Sequence, residues 1–174
     1  MLLAIDIGNT NIVLGGFEGK TLGRSWRLAT MRERTADEMG LLVSELLERA
    51  GIRPATVDGV VMASVVPPLT ASVIEMSERY LGTRPLNLEP GVHTGMPVLY
   101  DNPAEVGADR IVNSIAAYEL YGRSRKMPLI VVDFGTATTF DAVSTAGEYL
   151  GGVICPGIQI SADALFQRAA KLPR

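Results

Sequence analysis

Two short runs in the chain share one order of residue types. Asp6-Ile7-Gly8-Asn9-Thr10-Asn11 follows the apolar pair Ala4-Ile5, and Asp133-Phe134-Gly135-Thr136-Ala137-Thr138 follows Val131-Val132. Each reads as an apolar run, an Asp, one apolar residue, a Gly, and then small residues, mostly hydroxyl or amide. This order suits phosphate binding. Gly permits a tight turn with backbone N–H groups facing outward. Thr and Asn side chains add donors, and each charge-assisted hydrogen bond to phosphate is worth about 1.5–3 kcal/mol. An Asp repels phosphate, so its natural partner is Mg²⁺ or the water around it, with the metal bridging to phosphate. Asp6 is the candidate for that role in the first run. Two such hairpins facing each other would clamp one nucleoside triphosphate between two lobes. The competing reading is a pair of unrelated hairpins that happen to share turn residues.

A second constellation is Gly107-Ala108-Asp109-Arg110, at the start of a predicted helix. Asp109 could accept the proton of a substrate hydroxyl as it attacks a γ-phosphate, a contribution of about 10²–10⁴-fold. Positioning and charge neutralisation supply the rest of a phosphoryl transfer. Arg110 could pair with a carboxylate or with transition-state charge. The bland alternative is a solvent-facing Asp-Arg pair near a helix start, where the dipole favours the acid. Gly19-Lys20-Thr21 resembles the end of a P-loop, but Leu14 stands where that motif needs its first Gly, and a strand rather than a helix follows. His93, the single histidine, reads as a loop residue, and Cys155 as a small core residue rather than a nucleophile. Arg32 and Arg34 read as part of a solvated face.

The elements that must position these residues follow from periodicity. Residues 2–6, 11–17 and 21–28 form a three-stranded antiparallel start, with Gly8-Asn9 and Glu18-Gly19-Lys20 as turns. Thr35-Ala36-Asp37-Glu38 is a capping box, followed by the helical face Met39, Leu42, Val43, Leu46, Leu47 and Ala50. A buried strand over 57–66, a helix opened by Pro67-Pro68, a short strand over 84–88 and a loop over 91–103 come next. Helical spacing resumes over 104–121. Strands over 129–132, 136–144 and 148–154 and a helix over 157–171 complete the chain. The order restarts after the linker at 122–127. It predicts an α/β protein with duplicated lobes, 1–121 and 128–174, the second shorter than the first.

Composition agrees with a globular rather than a disordered chain. Hydrophobic residues make up 47% and charged residues 20% of 174, and 16 basic against 19 acidic residues leave a net charge of −3. No strong field points to nucleic acid or an anionic membrane. A lone cysteine cannot form an internal disulfide. The N-terminus has no signal-peptide pattern, and no apolar run reaches the length of a membrane span. A soluble cytoplasmic protein is expected. There is no Ser-His-Asp set and no metal-ligand cluster.

Together, Asp6 to Asn11, Gly107 to Arg110, Asp133 to Thr139 and Gly151-Gly152-Val153-Ile154-Cys155-Pro156-Gly157 resemble the type III pantothenate kinases, in that family's order and over nearly the whole chain. The resemblance implies the fold shared by acetate and sugar kinases, Hsp70 and actin: actin-like or ribonuclease H-like lobes. It also implies ATP-dependent phosphorylation of pantothenate, the first committed step toward coenzyme A. By that pattern Asp6, Ile7, Gly8, Asn9, Thr10, Asn11, Ile12 and Val13 form the first phosphate hairpin, and Thr136 contacts ATP in the second. Asp133 holds a monovalent cation, potassium or ammonium. Asp109 is the catalytic base, and Tyr100 with Gly107, Ala108, Asp109 and Arg110 lines the pantothenate pocket. A homodimer is implied as well. The family's chain runs past Leu172-Pro173, so the second lobe is expected to be cut short. Two other readings stay open: a non-catalytic, actin-like ATP-binding regulator, and a fragment that needs a partner segment.

Overall fold

The structure is a computed structural model that describes residues 1–89 and 94–168. The chain divides into two units, Met1–Val92 and His93–Arg174. His93 itself lies outside the described residues.

The first unit is built on a five-stranded sheet. Strand β1 (Leu2–Ile7) runs antiparallel to β2 (Asn11–Glu18), which pairs antiparallel with β3 (Thr21–Ala29). On its other side β1 runs parallel to β4 (Gly59–Ser64), which pairs with β5 (Leu86–Leu88), for a sheet order β3-β2-β1-β4-β5. Helices α1 (Ala36–Arg49) and α2 (Pro67–Met76) supply the parallel crossovers, as parallel pairing requires. Leu3, Ile5 and Ile7 of β1 alternate into a core with Ile12 and Leu14 of β2, Val60 and Met62 of β4, Met39, Val43 and Leu47 of α1, and Leu69, Val73 and Met76 of α2.

Helix α1 begins as its sequence predicts. Thr35 Oγ1 accepts from the backbone N–H of Glu38, and Glu38 Oε2 accepts from the backbone N–H of Thr35 at 2.8 Å. The backbone bond from Thr35, then the bond from its side chain, hold the Glu38 carboxyl below its ordinary value of 4.5. Helix α2 ends in a wide π-type turn, Ser77–Leu81. This turn lays the Tyr80 ring on Gly40 of α1, where a methyl group would collide with the ring, and sends the Tyr80 hydroxyl to Asp37 Oδ1 at 2.8 Å.

The second unit repeats the three-stranded start as β6 (Leu129–Phe134), β7 (Ala137–Val143) and β8 (Tyr149–Pro156), all antiparallel. Helix α3 (Ala108–Ala117) packs on this sheet, ends in its own π-type turn, Tyr118–Gly122, and is preceded by a 3-10 turn, Pro103–Glu105. The division therefore falls at 92/93 rather than between 121 and 128. The reason is the apolar face of α3: Ile111 and Ile115 bury against Val143 and Tyr149, and Leu129 and Val131 join them. Helix α4 (Ile158–Arg168) follows β8. Ile130, Val132 and Phe134 of β6 point to the other face of the sheet and are 66%, 41% and 70% exposed. Cys155, expected in the core, is exposed on β8.

Gly40→Ala is expected to destabilise the first unit. A methyl there gains about 1 kcal/mol of helix propensity. Displacing the Tyr80 ring costs about 1–3 kcal/mol, as overpacking generally does. A urea midpoint above that of the wild type would contradict this account. Glu38→Gln tests the capping box through pH. A depressed carboxyl stabilises the folded state above the unfolded value near 4.5 and loses that stabilisation as pH falls through the folded value. The melting-temperature gap between wild type and Glu38→Gln should be constant near neutrality and should close as pH drops below about 4.5. A gap that does not change with pH would show that the bond is not carried by the carboxylate.

Candidate functional site

In the first unit, β1 delivers Asp6 to the open end of the sheet. Asp6 is exposed and lies opposite Val13, while Ile7 pairs with Ile12. Residues 8–11 thus form the turn. Gly8 N–H donates to Asn11 C=O at 2.9 Å, which closes it. Thr30, just past β3, braces the turn twice: its N–H donates to Thr10 C=O at 3.0 Å and its Oγ1 donates to Gly8 C=O at 2.7 Å. Asn9 and Thr10 are exposed and Asn11 is half-buried, as is Val13, whereas Ile12 is fully buried as the hydrophobic anchor of the turn. Arg32 is drawn toward this turn rather than away from it, with Nη2 3.4 Å from Asn9 Oδ1.

The second unit presents a similar but tighter turn. Phe134 pairs with Thr138, so 135–137 make the turn, and Gly135 N–H donates to Ala137 C=O at 2.9 Å. Thr136 is exposed, and its carbonyl accepts from Gly157 N–H at 3.1 Å, which ties the turn to the start of α4. Asp133 is exposed at the end of β6, and Asn113 Nδ2 stands 3.5 Å from its Oδ2. Asn113 lies one turn after Asp109 on α3, at the i, i+4 spacing that puts two side chains on one helix face. Asp109 is half-buried, and its Oδ1 accepts from the backbone N–H of Arg110 at 2.8 Å. Gly107 caps the helix and Ala108 is buried in its first turn.

Arg110 points to the sheet instead. Its Nε donates to Asp141 Oδ1 at 2.8 Å, and its Nη2 lies 2.6 Å from the same oxygen. Asp141, on β7, is only 2% exposed. The Tyr149 hydroxyl donates to Asp141 Oδ1 at 2.6 Å, and Thr139 Oγ1 donates to Asp141 Oδ2 at 3.2 Å. The Arg110 guanidinium also stands 5.9 Å from the Tyr149 ring centre, within cation–π range. Burial, then the bond to Asp141, push the Tyr149 phenol well above its ordinary value of 10, so it remains a donor. Removing one partner of such a buried pair costs about 3–5 kcal/mol because the other charge is left uncompensated. Tyr100 comes to the same strand by a different route. The 97–99 segment pairs with the start of β8: Tyr149 N–H donates to Pro97 C=O and Leu99 N–H donates to Tyr149 C=O, both at 2.8 Å. This lays the Tyr100 ring beside Gly151.

Sequence reasoning missed Thr30, Asn113, Asp141 and Tyr149. Asp141 had a legible signal: in 136–144 it shares the parity of Val143 and Thr139, the inward face of β7. Thr30 and Asn113 had none, because their roles depend on tertiary approach. Among the described residues no group of three or more His, Cys, Asp or Glu gathers as a metal site, and no helix is long and apolar enough to cross a membrane.

A three-stranded antiparallel start that recurs, with an Asp-Gly turn ending the first strand each time, defines the actin-like class of α/β proteins. Solved structures bear this fold out. A Ppx/GppA phosphatase from Aquifex aeolicus matches 98% of the chain over 56% of its own, with TM-score 0.57 and 14% identity. Acetate kinase from Porphyromonas gingivalis matches 88% over 57%, with TM-score 0.52 and 14% identity. A family model described as type III pantothenate kinase matches residues 2–174. Proteins named type III pantothenate kinase in Myxococcus xanthus and Moorella thermoacetica are 62% and 61% identical to the chain along its whole length. The chain belongs to the type III pantothenate kinase family. It spans 66% of the Myxococcus protein and 67% of the Moorella protein.

Thr30→Val removes the hydroxyl that braces the first turn while keeping the residue's shape. It should cost about 1 kcal/mol, the typical net worth of one hydrogen bond, in urea unfolding. The Gly8 amide and the amide of residue 30, which donate within this turn, should exchange faster with solvent in the variant. Unchanged exchange at both amides would mean that the Thr30 bond does not hold the turn.

Proposed function

We propose that the chain acts in ATP-dependent phosphorylation of pantothenate to 4′-phosphopantothenate, the first step toward coenzyme A. The observation that carries this reading is the first turn of α3, Gly107 to Arg110, in a chain that belongs to the type III pantothenate kinase family. A protein that only sensed nucleotide would have no use for a carboxylate there.

In the first hairpin, between Asp6-Ile7 and Ile12-Val13, Asn9, Thr10 and Asn11 serve as donors to the phosphates of ATP, while the Gly8 N–H, bonded to the Asn11 carbonyl, shapes the turn; Thr136 is the ATP contact of the second hairpin. Asp109 accepts the proton of the pantothenate hydroxyl as its oxygen attacks the γ-phosphorus and the bond to ADP breaks. The attacking oxygen must lose that proton to become the ester oxygen of the product, and a half-buried carboxylate is suited to take it. Tyr100 and Gly107 to Arg110 line the pantothenate pocket, where Arg110 meets a substrate acceptor group. Mg²⁺ held through Asp6 and its waters, and a potassium or ammonium ion at Asp133, would neutralise phosphate charge when bound. The residues present suit such ions: Asp6 and Asp133 are exposed carboxylates at strand ends, and Asn113 places an amide beside Asp133 that could turn its oxygen toward a cation. A cytoplasmic homodimer completes the proposal.

The test is ADP release by this chain with Mg-ATP and potassium, with and without pantothenate. Release that depends on pantothenate, and that falls about 10²–10⁴-fold in Asp109→Asn with nucleotide binding retained, is the expected result. ADP release indifferent to pantothenate would point to an ATP-binding regulator. An Asp109→Asn variant with wild-type turnover would remove Asp109 from the chemistry.

A further inference from the structure

Asp141 is the most buried acid in the described part of the second unit, and the proposed reaction does not use it. Its two oxygens take every donor within reach: Arg110 Nε and the Tyr149 hydroxyl on Oδ1, and Thr139 Oγ1 on Oδ2. These donors come from α3, from β8 and from Asp141's own strand. The carboxylate therefore has one orientation, and it fixes one edge of the Arg110 guanidinium.

The strand opposite is shaped to the same end. Gly152 is the cross-strand neighbour of Asp141 on β8, where side chains of paired residues normally meet. A methyl group on Gly152 would collide with Arg110 Nη2, with Asp141 Oδ1 and with the Phe140 carbonyl. The guanidinium occupies the volume that a side chain at 152 would fill. Two strand positions are thus given over to seating one arginine from a helix. Arg110 Nη2 is buried, and although it lies 2.6 Å from Asp141 Oδ1 it is not aligned for a hydrogen bond. Nη2 is thus held by charge and packing against Asp141 and β8 and is closed to any ligand.

We infer that Asp141 is the positioning residue of Arg110: with Tyr149 and the gap at Gly152 it holds the Nε–Nη2 edge of the guanidinium and leaves Nη1, the remaining nitrogen, to meet an acceptor oxygen on the substrate. The inference rests on the reading of Arg110 as a pantothenate contact. Asp141 does not touch substrate itself. Its charge opposes a carboxylate ligand, so its service is orientation rather than attraction. A misplacement of about 1 Å in such a contact can cost about 10²-fold.

The experiment follows pantothenate binding to the 174-residue chain by calorimetry, with ADP binding as the internal control, and pairs it with ¹⁵N-arginine NMR of the Arg110 Nε–Hε group. Asp141→Ala should weaken pantothenate by about 10- to 100-fold and leave ADP affinity unchanged. Asp141→Asn keeps an acceptor oxygen without the charge and should recover most of the loss. In an Arg110→Ala background neither change should have any further effect. The wild-type Nε–Hε proton should exchange slowly and should become fast in Asp141→Ala. Where Asp141→Ala melts too low to study, Asp141→Asn and Tyr149→Phe carry the comparison, and both should quicken that exchange. Equal pantothenate affinity in wild type and folded Asp141→Ala would overturn the inference and leave the substrate reading intact. A wild-type chain that does not bind pantothenate would sink the substrate reading, and the seat is then decided by NMR alone. Exchange at Nε unchanged by every Asp141 variant would overturn the seat as well, and exchange that quickens would uphold the Asp141–Arg110 bond while the substrate role falls with the reading it rests on.

Discussion

The first strand can sit in only one register. Leu3, Ile5 and Ile7 face the core and are at most 4% exposed, while Asp6 faces solvent. Successive strand residues point to opposite faces, so a slip by one position would turn Asp6 inward and the three aliphatics outward. That exchange would bury a carboxylate, at a cost of several kcal/mol after any relaxation. It would also forfeit about 1.5–3 kcal/mol for each aliphatic side chain returned to water. Ladders on both sides, antiparallel with β2 and parallel with β4, hold the strand in place. The position of Gly8 and of the whole first turn follows from this, because the turn begins where the ladder with β2 stops at Ile7 and Ile12.

The second unit repeats the turn but not the covered face. Its sequence echo matches Asp6 with Asp133, and hence Ile5 with Val132 and Ile7 with Phe134. Ile7 is fully buried under the first unit's helices, yet Phe134 is 70% exposed. Helix α3 packs instead on the parity of Leu129 and Val131, which is also the parity of Asp133. In the first unit the Asp lies on the face away from the helices. In the second it shares a face with one, and this is how Asn113 comes to stand beside it. The same short motif therefore reaches two environments, decided by which side of the sheet the helix covers.

Much of this was legible in the sequence, and the rest was hidden for physical reasons. Strand alternation and turn residues placed β1 to β3 and β6 to β8 within a few residues of where they lie. The Thr35–Glu38 pair gave the start of α1, since a capping box is a local interaction read from four adjacent positions. The recurrence of the start, visible in the two Asp-Gly turns, gave the fold class. The unit boundary was not visible, because helical periodicity reports that α3 has an apolar face without saying which sheet receives it. Cys155 was misjudged because this end of β8 is open on both faces: Val153 and Ile154, which point to opposite sides, are 60% and 62% exposed, so hydrophobic composition did not imply burial. Thr30 could not be found from sequence at all, since its bond to Gly8 spans 22 positions.

Three carboxylates in the second unit show how burial separates roles that residue type leaves equal. Asp109, Asp133 and Asp141 are chemically one group. Asp141 is closed in by an arginine, a phenol and a threonine and is 2% exposed, so it is set to hold a neighbour rather than to meet a ligand from solvent. Asp133 is open to water at a strand end, with the Asn113 amide 3.5 Å from one of its oxygens. Asp109 lies between these extremes: half-buried, with one oxygen accepting from the next backbone N–H. A base must be accessible enough to receive a proton and constrained enough to be in place, and the proposed role of Asp109 rests on this intermediate burial.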